Sequence, residues 1–358
     1  MESKQRLLSL DILRGMTVAG MILVNNGYGE SYEMLCHSRW NGLTLCDLVF
    51  PFFLFIVGIA CYLSLANSNF TPTPKTIRRV VKRTILLFVI GLMINWFHDA
   101  IKGDVMCFSH LRVWAVMQRI ALCYFFVSMF ALFVNHRYTI PTIMAILAAY
   151  TVLIMWGNGY SEDPAENILA RADRWLFGYD HLYHKSPVDP EGLLGTISSI
   201  AHVMIGFYCG KAIRMAKTVE HKVMGLFVVA SVCLILGYLL TFGLPLNKRI
   251  WSPSYVLMTC GMAALLQALL MWVIDIRQKN RWTLPFHVFG MNALALYVVS
   301  EVMSIIFHEY HINDLVFSIL HTFITPLKWA SLAYALTFVA INYAIGYLLY
   351  RKQIYIKL

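Results

Sequence analysis

The sequence predicts a polytopic, all-α membrane bundle of about ten transmembrane helices, with both termini on the cytoplasmic side. Three observations lead there. Of 358 residues, 59% are hydrophobic and 13% charged. That is about half the ~25% charged residues of an ordinary soluble domain, too few to cover its surface, so lipid must cover much of it. Apolar runs near the ~20 residues that span a bilayer recur along the whole chain. The lysines and arginines between them alternate in density, two to one in favour of one side, as the positive-inside rule requires.

The first run, 7–26, contains Asp11 and Arg14, and no small-x-small cleavage site follows it. It therefore reads as a membrane helix rather than a cleavable leader. Nine further runs follow, at 43–65, 84–100, 113–134, 139–156, 193–212, 223–242, 255–274, 286–307 and 329–350. The run at 84–100 is the shortest. A semi-apolar stretch at 312–324 suits the interface. The basic clusters at 75–83, 211–222, 277–281 and 351–357 then fall inside. The longest loop, 157–192, falls outside with seven acidic residues.

The composition excludes much else. The net charge of +10 follows membrane orientation and forms no single basic face, so no nucleic-acid partner is expected. There is no Walker A sequence, no H-E-x-x-H and no short repeat, and the chain reads as one membrane domain over 1–358. The eight cysteines sit mostly inside apolar runs without a C-x-x-C pair. They read as small buried hydrophobes, and no metal is expected. Cys36 and Cys107, both in outer loops, leave a disulfide open.

Polar residues within spans are costly and usually pair, line a cavity or do chemistry. Asp11, Arg14 and Asn25 fall near one face of the first helix. Arg14 and Asn25 are eleven residues apart, close to the same azimuth and separated by about 16 Å along the axis. Asp11 and Arg14 suit an i, i+3 pair. A cation at Arg14, near the cytoplasm, suits a phosphate-bearing ligand. Asp47 and Arg119 lie at similar depth near the outer end and suit an ion pair, or contact with a substrate. His37 stands in a loop with Asn25, Asp47 and Trp40 as expected neighbours. It is either a bystander or a base, since a neutral imidazole takes a proton from an amine or hydroxyl. Glu191, Lys248 and Glu301 gather on the same side, and Asn292 lies inward at the depth of Arg14.

Taken together, SLDILRG (9–15), VN (24–25), the stretch 37–58, LRVWAVMQRIALCY (111–124), DPEG (189–192), NKRIWSPS (247–254) and GMN (290–292) run almost end to end. In this order the chain resembles the heparan-α-glucosaminide N-acetyltransferase family of transmembrane acyltransferases, including its bacterial members. The resemblance implies a multi-pass inner-membrane enzyme. It would take acetyl-CoA from the cytosol and pass the acetyl group to a glucosamine-type amine on the other side. It places the active-site histidine at His37 and its asparagine at Asn25, with Asn26 a competing match. Acetyl-CoA would then lie near Arg14 and Asn292, with Arg78 and Arg79 among the inner cations. The acceptor would lie at Asp47, Arg119, Glu191 and Lys248. It also implies a homodimer. The family's large luminal N-terminal domain has no counterpart in these 358 residues, which points to a free amino sugar or a short oligosaccharide. Two other functions suit the same residues: a transporter for an amino sugar or related solute, and acetyl transfer to a glycan hydroxyl.

Overall fold

A computed structural model describes residues 7–356 as helices and connecting loops, with no strand among the described residues. Lys357, the last residue of the inner basic cluster 351–357, lies outside that range. Among the described residues, nine helices are long and apolar enough to cross a membrane, ten if one bent pair counts as a single span. The chain is a multi-pass membrane protein.

In order, the helices are α1 (Leu8–Asn25), α2 (Cys46–Ala66), α3 (Pro74–Ala100), α4 (Val116–Phe133), α5 (Thr139–Trp156), α6 (Ile168–Phe177), α7 (Leu193–Met215), α8 (Val219–Leu240) and α9 (Pro253–Leu270). Then come α10 (Leu284–Met291), α11 (Ala293–Glu309), α12 (Ile312–Phe323) and α13 (Leu327–Arg351). A π-helical stretch, Met271–Ile276, prolongs α9. The third span is not short. Thr73 caps it by accepting from the Thr76 N–H, and Pro74 opens its first turn. The basic turns before residue 84 therefore belong to the helix, where long cationic stems can lie along apolar surface.

The span expected over 286–307 is not one straight helix. α10 and α11 meet at an 86° bend at Asn292. Gly290, just before it, is pressed on α1: a Cβ there would lie 2.0 Å from the carbonyl oxygen of Asp11. Asn292 itself is buried, donating to the Ile354 carbonyl (2.9 Å) and accepting from the Ile356 N–H (2.9 Å) of the C-terminal tail. Two further helices lie in loops. α6 interrupts the long loop, and α12 occupies the semi-apolar stretch after α11.

The bundle is centred on α2 and α7. In lipid, helices associate through close packing rather than through a hydrophobic difference from their surroundings. The crossing shows how close: a Cβ on Gly58 would sit 2.1 Å from the Val203 carbonyl oxygen, and one on Gly206 2.2 Å from that of Phe55. This approach brings the start of α2, with Asp47, beside the start of α7, which directly follows Glu191. Both helices also pack on α9, whose first turn follows the loop carrying Lys248. The eight cysteines are free.

Candidate active site

The site begins with a helix-internal proline. Pro51 has no N–H, so the carbonyl of Asp47, four residues earlier, loses its intrahelical partner. The Tyr255 hydroxyl from α9 donates to it at 2.6 Å. The Asp47 side chain is fully buried. It accepts from the Ser38 N–H (3.1 Å), the Thr44 N–H (3.3 Å) and the Thr44 hydroxyl (3.1 Å). A buried carboxylate needs such donors, and here they also fold the 37–45 loop back over the helix start.

That loop sets His37 with Nδ1 2.8 Å from Asp47 Oδ1. The carboxylate can only accept, so Nδ1 presents a proton to it, which in the neutral tautomer leaves Nε2 as the acceptor. The imidazole is half exposed, at 53%, whereas Asp47 is at 0%. Lys248 Nζ completes the group, 3.3 Å from Asp47 Oδ1 and 3.0 Å from His37 Nδ1. Cys46 Sγ lies 3.1 Å from the same ring nitrogen. Lys248 is held there by its own loop. Asn247, fully buried, accepts from the Ile250 N–H at 3.1 Å and donates to Asn41 Oδ1 at 3.1 Å. The Gly42 N–H donates to the Leu246 carbonyl at 2.8 Å.

These residues open onto a cavity of about 80 Å³, lined by His37, Cys46, Asn25, Glu191, Lys248 and Tyr297 among others. Asn25 Nδ2 donates to Glu301 Oε1 at 3.3 Å. Asn26, the competing match, is buried and donates to the Ile22 carbonyl at 2.8 Å, away from the cavity. The wall behind Glu191 is ionic: one nitrogen, Arg112 Nη2, lies 2.9 Å from both Glu191 Oε2 and Asp189 Oδ1. Burial pushes the Glu191 carboxyl up. The cations Arg112, Arg119 and Lys248 outweigh it and hold the group below its ordinary value.

Several expectations are corrected. No Asp47–Arg119 ion pair forms. Asp47 is taken by His37 and Lys248, while Arg119, fully buried, donates from Nη2 to the Gly192 carbonyl at 3.1 Å and stacks over Trp251 at 4.9 Å. Neither lines the cavity; of the four residues expected around an acceptor, Glu191 and Lys248 do. Trp40 is not a rim residue. It is buried and donates to the Tyr160 carbonyl at 3.0 Å. At the other end of α1, Arg14 and Asp11 pair at 3.2 Å as expected, and Arg14 also approaches the Gly290 carbonyl at 3.5 Å. Asn292 lies two residues beyond Gly290, but its amide serves the tail. Arg78 and Arg79 stand exposed on the first turns of α3, which packs mainly on α4. Arg112, Tyr255, Tyr297 and Cys46 escaped the sequence reading as site residues. Pro51 was the available signal for Tyr255, since it announces a free carbonyl at Asp47.

A family model described as "Heparan-alpha-glucosaminide N-acetyltransferase, catalytic" matches residues 6–164. Among curated proteins, the heparan-alpha-glucosaminide N-acetyltransferase of Mus musculus is 30% identical over 365 residues, covering 84% of this chain and 54% of that protein. The protein of the same name from Homo sapiens is 29% identical over 422 residues, covering 99% of this chain and 60% of that protein. The chain thus spans little more than half the length of these relatives. The matched family segment contains Asn25, His37, Cys46, Asp47 and Arg119, the part of the site built by α1, α2, α4 and the loop between the first two. Over residues 6–164 the chain is similar to the catalytic part of the heparan-alpha-glucosaminide N-acetyltransferase family.

Proposed function

We propose that this protein is an inner-membrane acetyltransferase that moves an acetyl group from cytosolic acetyl-CoA to the amine of a glucosamine-type sugar on the opposite side. The observation that carries the reading is the His37–Asp47 pair. A half-exposed imidazole is oriented through Nδ1 by a fully buried carboxylate and turns Nε2, with the Cys46 thiol 3.7 Å away, towards the cavity, the arrangement a general base needs. The family and its relatives' names supply the acetyl-transfer chemistry and the amino-sugar class.

In this reading His37 Nε2 takes the proton from the amine as its nitrogen bonds to the acyl carbon; the thioester C–S bond then breaks, and the imidazolium returns the proton to the departing CoA thiolate. Asp47 keeps the ring in the productive tautomer and stabilises the imidazolium that forms. Lys248 Nζ and the second N–H of the Asn25 amide are the donors available to an acyl oxygen as it becomes negative; donors placed this way usually make the largest single contribution to acyl transfer. Glu301 holds Asn25 in place. Glu191, ionised by its cationic neighbours, can accept from sugar hydroxyls. The pantetheine arm of acetyl-CoA is about as long as the rise of α1 from Arg14 to Asn25. The thioester can thus reach the His37 cavity while the nucleotide stays with Arg14 and the inner cations. The basic bias of the loops supports this orientation, with both termini inside.

The test is direct. Purified protein is incubated with acetyl-CoA and a panel of glucosamine, its N-substituted analogues and non-amino sugars, and products are identified by mass spectrometry. N-acetylated product from the free amines alone supports the reading. Product from the non-amino sugars would indicate hydroxyl acetylation. Uptake of glucosamine into vesicles without acetylation would indicate a transporter.

A further inference from the structure

An amine acceptor brings one proton more than His37 handles. An aliphatic amine on a sugar titrates near the α-amino range, about 8, so most of it reaches the site at pH 7 as an ammonium. An ammonium has no lone pair and cannot attack. It must lose one proton before the C–N bond forms and a second as it forms. His37 takes the second and returns it to the CoA thiolate, which closes its cycle. The sum is ammonium plus acetyl-CoA giving N-acetyl amine, CoA thiol and one free proton. The first proton needs another base.

The carboxylates around the His37 cavity are not equivalent. Asp47 is held by His37 and Lys248, and Asp189 and Glu191 by Arg112. Glu301, on α11, is partly buried, and among the described residues no cation lies within ion-pair distance of it. A carboxylate shielded from water and without a cation is the one suited to take a proton. Its neighbours lead to the cavity. Glu301 Oε1 accepts from Asn25 Nδ2 at 3.3 Å. The Tyr297 hydroxyl, one turn earlier on the same face of α11, faces the same carboxylate. Asn25 and Tyr297 line the cavity together with His37, so Glu301 stands one side chain behind its wall. A phenol hydroxyl donates to one partner while it accepts from another. Tyr297 can therefore join an ammonium in the cavity to the carboxylate behind it.

We infer that Glu301, acting through the Tyr297 hydroxyl, is the base that takes the first proton from the acceptor's ammonium. The inference rests on the proposed function for its reaction and adds how the amine is made ready to attack. The ammonium N–H gives its proton to the Tyr297 oxygen as the Tyr297 O–H gives its own to Glu301. The nitrogen regains its lone pair and the tyrosine is unchanged. Glu301 becomes a neutral carboxylic acid, which later releases the proton to water. In a cavity that holds little water, a neutral amine and a neutral acid are favoured over two separate charges.

Initial rates at pH 7 are measured for the wild type, Glu301→Gln and Tyr297→Phe with two acceptors. These are glucosamine and its 2-aminooxy analogue, whose nitrogen is unprotonated at that pH. Gln keeps an acceptor for the Asn25 amide, and Phe keeps the ring. With glucosamine, kcat/KM should fall about tenfold in each variant, the ratio of ammonium to free amine for a group that titrates near 8. With the aminooxy acceptor it should stay near the wild-type value. An equal loss with both acceptors would show a structural role through Asn25 and overturn the inference, and so would an unchanged rate with glucosamine. Infrared difference spectra of His37→Ala protein on addition of glucosamine read the same step without turnover. A new carboxylic-acid C=O band that disappears in His37→Ala/Glu301→Gln supports the inference even if neither acceptor is acetylated, an outcome that would sink the proposed function alone. No such band in His37→Ala would overturn it.

Discussion

His37→Ala should lower acetyl transfer by about 10²–10⁴-fold, the usual contribution of a general base. The protein should still purify as a folded bundle, because the imidazole is 53% exposed and its loss leaves no cavity in the core. Steady-state rates and thermal unfolding in detergent check both halves. Asp47→Asn should lower kcat more than it raises the KM for glucosamine, because Asp47 lies behind His37 and away from the cavity. Equal kcat in wild type and variant would contradict its orienting role. Much at this scale was legible in the sequence: His37, Asn25, Glu191 and Lys248 share one cavity, and all came from polar residues at one end of the spans. His37 beside Asp47 was legible too, but the lysine or arginine that joins Asp47 was not. Depth along a helix places Asp47 and Arg119 at one level, but azimuth and loop closure decide which cation arrives. The 247–252 loop delivers Lys248, while the start of α7 takes Arg119.

The crossing of α2 and α7 brings their starts together, with Asp47 and Glu191, and it depends on glycine. Gly206→Ala would place a methyl group 2.2 Å from a backbone oxygen that cannot move alone. The helices must separate, at a cost of about 2 kcal/mol or more, read as a lower unfolding temperature together with lost activity. α6 offers a different test. Burial pushes the Asp173 carboxyl up to about 7, with Asp189 adding to the effect against the Leu193 N–H and Arg119. A folded-state value raised above that of the unfolded chain means that the native state holds the proton more tightly. Stability therefore falls as pH rises from about 4 to about 7 and levels off above. Asp173→Asn, which keeps an acceptor for the Leu193 N–H, should flatten the fall in unfolding temperature between pH 5 and pH 8. An unchanged slope would contradict it. The spans were legible as elements because length and apolarity alone define them. The bend at Asn292 was not. It arises where Gly290 is pressed on α1 and the tail takes the Asn292 amide, contacts between segments far apart in sequence.

Across the whole molecule, two features make a transmembrane reaction coherent. The polar groups that can do chemistry collect at one end of the bundle, and Arg14 marks the other end of the same helix that carries Asn25. In the proposed reading the charge bias, legible from the sequence alone, orients those ends in the membrane. The measurement that tests the account most directly uses sealed vesicles of known orientation. Acetyl-CoA is placed only on the side of the basic loops and glucosamine only on the His37 side. Acetylated sugar should form on the His37 side, and none should form with His37→Ala protein in the same vesicles. Product only when both substrates share one side, or equal product from the His37→Ala protein, would contradict it.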